Sequence, residues 1–409
     1  MKIKTTVSLT LVALLTLVST LTLLVAPVSA VYHNVLPCDA DGDNELTENE
    51  VSSAICSYML GRGNNTLDDV GDAAYIYEFW NGEPLTITDH FKSREVTLYR
   101  PVERIALAST PSARTIASLN AADRVVGVYR SIKTDNNLIV TKAYPELRNK
   151  TDLSGGSGAN AEAVIGIEPD VVFYSATADA AILQDHIGIP VVALMATYGI
   201  DFSDPSGAYN VWKLAGQIVG EEERARQLID YSQGKVNALL AISSTIDSDD
   251  QLVAYIAAGG DSAITSCAPT YYALDVAGGI NPAAGLPSNW GSTQISKEQI
   301  VAWNPDVIFI RFYRTGQTLT KDVVMNDPAL ATVSAIKESK VYYIRGSSNG
   351  LDPAMDICDS YRMAKLLYPE LFADLDVEAE GDAIYKEFYG VDGLYTTMLD
   401  SFGVFDRWD

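Results

Sequence analysis

Two stretches of this chain align without a gap, 136 positions apart: Glu162–Phe173, EAVIGIEPDVVF, and Glu298–Phe309, EQIVAWNPDVIF. Glu, Pro, Asp, Val and Phe recur in register. Each copy reads as a short helix with apolar positions at helical spacing, a Pro-Asp turn, then a continuous apolar strand. Strands without polar alternation are buried on both faces, as in parallel sheets covered by helices.

The flanks repeat the plan. Arg104–Ala108 and Arg124–Val128 are strand candidates before the first copy, and Ile189–Leu194 follows it. Leu252–Ile256 and Lys340–Ile344 stand in the same relation to the second. Helical patterns separate these strands, which makes two α/β lobes of similar design. Between them, Tyr209 to about Ile242 has few breakers beyond Gly216, Gly220 and Gly234, and Glu221–Asp230 is rich in helix formers. This predicts one long rigid helix connecting the lobes. The fold class expected is α/β: two Rossmann-like lobes joined by a connecting helix, preceded by a small α-helical calcium-loop module.

The doubled Glu…Pro-Asp-Val-Ile/Val-Phe pattern, two lobes and a connecting helix resemble the solute-binding proteins of ABC importers for iron-siderophore, haem and cobalamin. The resemblance covers roughly residues 95–390. It implies capture of an iron chelate or corrinoid between the lobes, without turnover, and delivery to importer membrane subunits. It also implies that a Glu on each lobe tip, here Glu162 and Glu298, docks to Arg residues of those subunits. Helix-end electrostatics is the other reading of these two residues.

In open α/β sheets, ligands sit beyond the carboxyl ends of the strands. The strand-end candidates are Ser109, Thr110, Tyr129, Arg130, Gly156, Ser157, Tyr174 and Tyr198 on the first lobe. On the second they are Tyr271, Trp290, Arg311, Tyr313, Arg314 and Arg345. Arg offers a rigid fork for carboxylate or phosphate, and aromatic rings offer apolar area. The set suits a large, partly anionic metal chelate. It suits bare zinc or manganese poorly, because the three His are scattered at positions 33, 90 and 186. Gly155–Gly158, GGSG, lacks the Lys-Ser/Thr ending of a phosphate-binding P-loop and reads as a cleft-lining loop. A secreted hydrolase on the same scaffold is the enzyme alternative; no Ser-His-Asp grouping supports it, so the chain is read as a non-enzyme.

Residues 39–50, DADGDNELTENE, place Asp39, Asp41, Asp43 and Glu50 at calcium-loop positions 1, 3, 5 and 12, with the Glu45 carbonyl at position 7. Position 6 is Asn44, which tolerates the left-handed turn required there. An acidic turn before a helix is the plainer alternative. A helix is expected over Val51–Leu60, then a second loop and helix from Asn64 without the acidic spacing. Residues 36–90 resemble a dockerin-like module with one intact loop, which implies a cohesin-like partner. A calcium-organised surface interaction protein is thus a second functional class.

Lys2 and Lys4 precede an apolar run from about Val7 to Ala26, and Val28-Ser29-Ala30 offers small residues for cleavage. Residues 1–30 read as a signal peptide, with an uncleaved anchor as the alternative. The protein is expected to be exported, periplasmic or cell-surface. Cys38 with Cys56, and Cys267 with Cys358, are the simplest disulfide pairs of the three connectivities; free buried thiols are the other reading. The division expected is a module over 31–92, lobes over 93–208 and 246–375, a connecting helix over 209–245 and a helical extension over 376–409. The tail aromatics Tyr385, Phe388, Tyr389 and Tyr395 read as core.

Of 409 residues, 29 are basic and 53 acidic, giving a net charge of −24. That balance excludes a phosphate-gripping nucleic-acid protein and a polybasic lipid-docking patch. With 47% hydrophobic and 20% charged residues, the chain has ample material for a core, so global disorder is excluded too.

Overall fold

The computed structural model describes residues 34–91, 93–156, 158–175, 178–194, 207–288, 291–346 and 352–408. The expected signal peptide and the candidates Ser157, Tyr198 and Trp290 lie outside the described residues.

Among the described residues the first helices form a hairpin, α1 (Glu48–Met59) and α2 (Leu67–Phe79). α1 starts one turn before the expected Val51. Thr47 accepts the N–H of Glu50 while the Glu50 carboxylate accepts the Thr47 N–H, a reciprocal cap that nucleates the first turn. Thr66 and Asp69 repeat the device on α2. A two-stranded antiparallel hairpin follows, β1 (Leu85–Thr88) and β2 (Glu95–Leu98).

The first lobe holds β3 (Ile105–Leu107), α3 (Thr110–Ser118), β4 (Val125–Val128), β5 (Thr151–Asp152), α4 (Ala161–Ile165), β6 (Val171–Ser175), α5 (Ala178–Ile187) and β7 (Val191–Leu194). Its sheet is all parallel in the order β5-β4-β3-β6-β7. Next come α6 (Ala208–Val219) and α7 (Glu222–Ser243). The second lobe holds β8 (Ala254–Ala257), β9 (Ser266–Cys267), β10 (Thr293–Gln294), α8 (Lys297–Trp303), β11 (Val307–Arg311), β12 (Val341–Ile344) and α9 (Pro353–Leu367). Its order is β10-β9-β8-β11-β12, parallel over β8, β11 and β12, with β9 and β10 antiparallel at one edge. The helices α10 (Val377–Tyr389) and α11 (Leu394–Phe402) close the chain.

The two sheets are separate, and the repeated motif occupies the fourth place in each, as β6 and β11. Its chemistry is visible in both copies. Asn160 and Ser296 cap α4 and α8. Glu168 and Asn304, just before the prolines, both take φ of 44°. This left-handed residue turns the chain from helix to strand, and Pro cannot extend the helix. The Asp170 carboxylate then accepts the N–H groups of Glu103 (2.8 Å) and Arg104 (2.7 Å), and Asp306 accepts that of Val253 (2.9 Å). The Pro-Asp pair thus fastens the repeat strand to the start of its neighbour. β6 and β11 are fully buried until their last residue, as their uninterrupted apolar sequences require.

The stretch expected as one connecting helix forms two. Gly220 takes φ of 71°, ends α6 in a left-handed cap, and α7 restarts in a new direction. α7 alone, 22 residues and roughly 33 Å long at about 1.5 Å per residue, is the connecting helix. The hydroxyl of Tyr75 on α2 lies where a Cβ on Gly220 would come within 2.8 Å, so the N-terminal hairpin packs against this elbow. Arg100 adds ion pairs to Asp69 (2.7 Å) and Asp72 (2.9 Å).

One large apolar core runs through both lobes and the helices between them; a second fills the outer face of the first sheet, and a third the N-terminal hairpin. The tail aromatics lie in the large core, as expected. α10 spans the junction. Arg224 of α7 donates to the Ser118 carbonyl (3.1 Å) and the Glu387 carboxylate (2.6 Å), and Tyr144 of the first lobe donates to the Tyr389 carbonyl (3.2 Å).

The expected disulfides do not form: all four cysteines are free. Cys38 turns its thiol to the Asp69 carbonyl (3.5 Å), while Cys56 is exposed on α1. Cys267 is built into a sheet beside Tyr255, and Cys358 faces the Gly381 carbonyl (4.0 Å) on α10, so secondary structure directs the two thiols to different neighbours. No helix among the described residues is long and apolar enough to cross a membrane.

Candidate functional site

Most of the described candidates lie at or just beyond the C-terminal ends of parallel strands. On the second lobe they form a connected group. Arg311 ends β11; its Nε donates to the Tyr313 hydroxyl, and its guanidinium carbon lies 5.2 Å from that ring's centre. Burial works against the Arg311 charge, yet Tyr313, Tyr271 and the carboxylate of Asp356 outweigh it and hold the group firmly protonated. Arg345 follows β12 and is buried. It donates to the Phe312 carbonyl (2.8 Å) and, across the lobe boundary, to that of Asn137 (3.4 Å). Burial lowers its pKa from the usual arginine value. Tyr271 is buried, and its hydroxyl donates to Asp359 (3.0 Å). Arg314 stands apart on the rim, paired with Asp261, both exposed.

On the first lobe, Ser109 and Thr110 begin α3 and are buried. Their hydroxyls already have partners, Ser112 at 2.6 Å and Ser131 at 2.5 Å. Arg130 is 60% exposed and pairs with Asp152 at 3.2 Å. Burial works to raise the Asp152 pKa, but hydrogen bonds from Ser154 and Arg130 outweigh it and the net shift is downward. Tyr129 is half-buried at the end of β4 and interacts electrostatically with Tyr174. Tyr174 is buried, which raises its phenol. It contributes to a depression of about 260 Å³ lined also by Gly156, Gly158 and, from α5, Asp179, Leu183 and His186.

Several residues at this boundary had not been singled out. Arg114 on α3 and Asp352 at the start of α9 form a buried ion pair (3.2 Å) that crosses from one lobe to the other. Asp359, fully buried on α9, accepts from Tyr271, from the Arg345 N–H (3.1 Å) and from the Gly346 N–H (2.7 Å). A charged residue one turn into a helix that follows a buried strand was the available signal for Arg114. Asp359 had none, since only the tertiary fold turns that face of α9 to the strand ends. Gly346–Gly350 reads GSSNG, a Gly-x-Ser-x-Gly string between β12 and α9. Of the two described histidines, His186 lies on α5, and His90, in the β1–β2 connection, donates its N–H to the Ala193 carbonyl of β7.

Glu162 and Glu298 are exposed in the first turns of α4 and α8, equivalent positions on the two lobes. Hydrogen bonding at the helix start holds Glu298 below the usual carboxylate range.

In the N-terminal loop, carboxylate oxygens of Asp39, Asp41 and Asp43 lie within 4.8 Å of one another. Asn44 takes φ of 62°, as expected. The Asp43 N–H bond lowers the Asp41 pKa, but slight desolvation and the charges of Asp43, Glu50 and Asp39 outweigh it and the net shift is upward. Glu50 accepts from the N–H groups of Ala40 and Thr47, and Glu45 is exposed. Oxygen-only donors of this kind fit a hard divalent cation.

A family model described as periplasmic binding protein matches residues 105–347, more than half of the chain. The molybdate-binding protein MolA of Haemophilus influenzae is 25% identical over 326 residues, covering 74% of this chain and 90% of that one. A cobalamin-binding protein of Halobacterium salinarum is 28% identical over 255 residues, covering 59% and 64%. Among solved structures, MolA bound to molybdate superposes with a TM-score of 0.63 at 22% identity over 75% of this chain and 98% of that one. Helicobacter pylori CeuE in a nickel-histidine complex gives 0.59 at 20% identity over 80% and 100%. At these identities the superpositions establish the fold alone.

Proposed function

We propose, from the premise that this chain belongs to the periplasmic binding protein family and is a solute-binding component of an ABC importer, that its cargo is an iron chelate (siderophore or haem) or a corrinoid held between the lobes. One observation carries the reading: the second-lobe strand ends gather Arg311, Arg345, Tyr271 and Tyr313 in an otherwise strongly acidic protein. Guanidinium groups recognise the acidic arms of a chelate, and rings cover its apolar parts. The printed ligands of the relatives, molybdate, cobalamin and a nickel-histidine complex, include an oxyanion and metal complexes, the same chemical territory. Tyr129, Tyr174 and Gly156 would meet the cargo from the first lobe. The protein binds and releases; it performs no turnover.

Glu162 and Glu298, one on each lobe, are the proposed contacts for the importer's membrane subunits, matching a two-fold permease. The apolar N-terminal segment, read as an export signal, and the periplasmic relatives favour a location in the periplasm or at the cell surface.

The test is to purify the full chain natively, record its absorbance and mass, then titrate it with haem, a ferric hydroxamate siderophore, cyanocobalamin and molybdate by calorimetry. One-to-one binding of a chelate or corrinoid tighter than about 10 μM supports the reading, since that is roughly 7 kcal/mol of affinity. Binding of molybdate alone, or of none of the four, overturns the cargo.

The converging carboxylates of Asp39, Asp41 and Asp43 favour a second reading of the N-terminal hairpin, as a dockerin-like calcium module with a cohesin-like partner. Calcium that raises the helix content or melting temperature of the wild type, and not of Asp39→Ala with Asp41→Ala, supports it; an equal response in both removes it.

A further inference from the structure

The Arg311 side chain is held from three directions. Its Nε is bonded to the Tyr313 hydroxyl. The Tyr313 backbone is itself fastened, its N–H donating to the Gln317 side chain at 3.0 Å while that side chain donates to the Leu319 carbonyl at 2.7 Å. The stem of Arg311 lies flat over Gly346: a Cβ there would sit 3.2 Å from Cγ, 3.3 Å from Cδ and 3.4 Å from Nε. Gly346 also takes φ of 63°, which suits glycine. Below it, the buried Asp359 carboxylate accepts the Gly346 N–H, the Arg345 N–H and the Tyr271 hydroxyl at once. Asp356, on the same helix, is the carboxylate whose charge Arg311 senses. Arg311 itself is only half-buried, and among the described residues its two Nη atoms have no hydrogen-bond partner.

We propose that Gly346 and Asp359 are positioning residues for cargo recognition. Together they form an anchored platform that holds the Arg311 guanidinium with both Nη groups unbonded among the described residues, as a preformed fork for a carboxylate, phosphate or oxyanion on the cargo. A fork fixed in advance loses less conformational freedom on binding than a floating one, and two parallel charge-assisted bonds add geometric selectivity. A Cβ at position 346 crowds Cγ, Cδ and Nε of Arg311 and displaces the side chain from its seat on the platform by a few tenths of an ångström. Loss of the Asp359 charge releases the backbone beneath it.

The inference rests on the cargo reading above, so its test has one arm that needs no ligand. In the full chain, the Arg311 Nε–H is identified by nitrogen NMR from its loss in Arg311→Lys. It is expected to exchange slowly in the wild type and at least about tenfold faster in Gly346→Ala, Asp359→Asn and Tyr313→Phe, as a bonded proton released to solvent does. In the second arm, haem, cyanocobalamin and molybdate are titrated against the same variants. Gly346→Ala is expected to weaken the anion-bearing ligand about tenfold, and to cost nothing further in an Arg311→Lys background. A purely structural role would weaken binding in both backgrounds. Additive losses, or Nε–H exchange unchanged in all three variants, overturn the proposal. If the wild type binds no probe, the cargo reading fails, and the exchange arm alone decides whether the platform holds Arg311. Melting curves show whether Asp359→Asn folds; Gly346→Ala carries the test if it does not.

Discussion

The residue before each proline of the repeat offers a quantitative test of why the two lobes are built alike. Glu168 and Asn304 share φ of 44°, but only Asn tolerates that conformation well. The left-handed conformation costs an ordinary L-residue about 1–2 kcal/mol, and Asn recovers much of this. The Glu168 carboxylate has no hydrogen-bond partner among the described residues; its main-chain carbonyl, which accepts from Arg104 Nε at 2.8 Å, is indifferent to the side chain. Glu168→Asn should therefore stabilise the protein by about 1 kcal/mol, or about 2 °C in melting temperature for a chain of this size. The reverse exchange is not symmetric. Asn304 also exchanges hydrogen bonds with Ser334, donating to its hydroxyl at 2.9 Å and accepting its N–H at 2.9 Å. Those bonds are exposed and contribute about 0.5–1 kcal/mol each. Asn304→Glu should thus destabilise by about 2–3 kcal/mol, the backbone and bond contributions together. Circular-dichroism melts of both variants decide, with Glu168→Ala as the control that removes the carboxylate and keeps the backbone cost. A Glu168→Asn protein that melts at or below the wild type, or a Glu168→Ala protein that gains as much, would refute the backbone explanation.

Three further outcomes are expected. Burial outweighs the neighbouring Arg100 and, with Glu103 and Asp170 nearby, raises the Asp72 pKa to about 7, so the native state keeps a proton that the unfolded chain releases near pH 4. Packing of α2 against the first lobe should be firmest below about pH 4 and loosen as pH rises through 7, read as amide exchange in α2; Asp72→Asn should remove this pH dependence. Glu162→Ala with Glu298→Ala should abolish uptake by cells while leaving solution affinity for the cargo unchanged; lost affinity would move these residues into the cleft. Arg224→Ala removes the bonds from α7 to Ser118 and Glu387, and should broaden the distance distribution between spin labels at exposed Asp185 and Asp322, one on each lobe. An unchanged narrow distribution would mean that α10 does not brace the lobes.

Much of the architecture was open to reading from local signals. An unbroken apolar run such as Val171–Tyr174 can only be buried on both faces, and its recurrence at Val307–Ile310 implies a second sheet of the same design. The Pro-Asp turns mark where helix gives way to strand. The break at Gly220 was harder to foresee, because a glycine inside a helical pattern either sits in the helix or ends it, and the choice depends on what packs against it, here Tyr75. The thiol pairing failed for a similar reason: spacing along the chain does not tell which neighbour a strand or helix turns its cysteine toward.

At the strand ends, the residue types alone nominated Arg311, Tyr313 and Arg345, since topology puts every strand terminus of a parallel sheet on one side. Composition also determined the sign of the protein's field and the classes of partner it excludes. Only the tertiary structure decided which of those side chains are already occupied. It committed Ser109 and Thr110 to neighbouring hydroxyls and Arg130 to Asp152, buried Arg345 against two carbonyls, and laid the stem of Arg311 over Gly346 with its Nε bonded to Tyr313. Periodicity and turn chemistry act within a few residues and are written in the sequence. A hydrogen bond between residues such as Tyr271 and Asp359, 88 positions apart, exists only once the chain has folded.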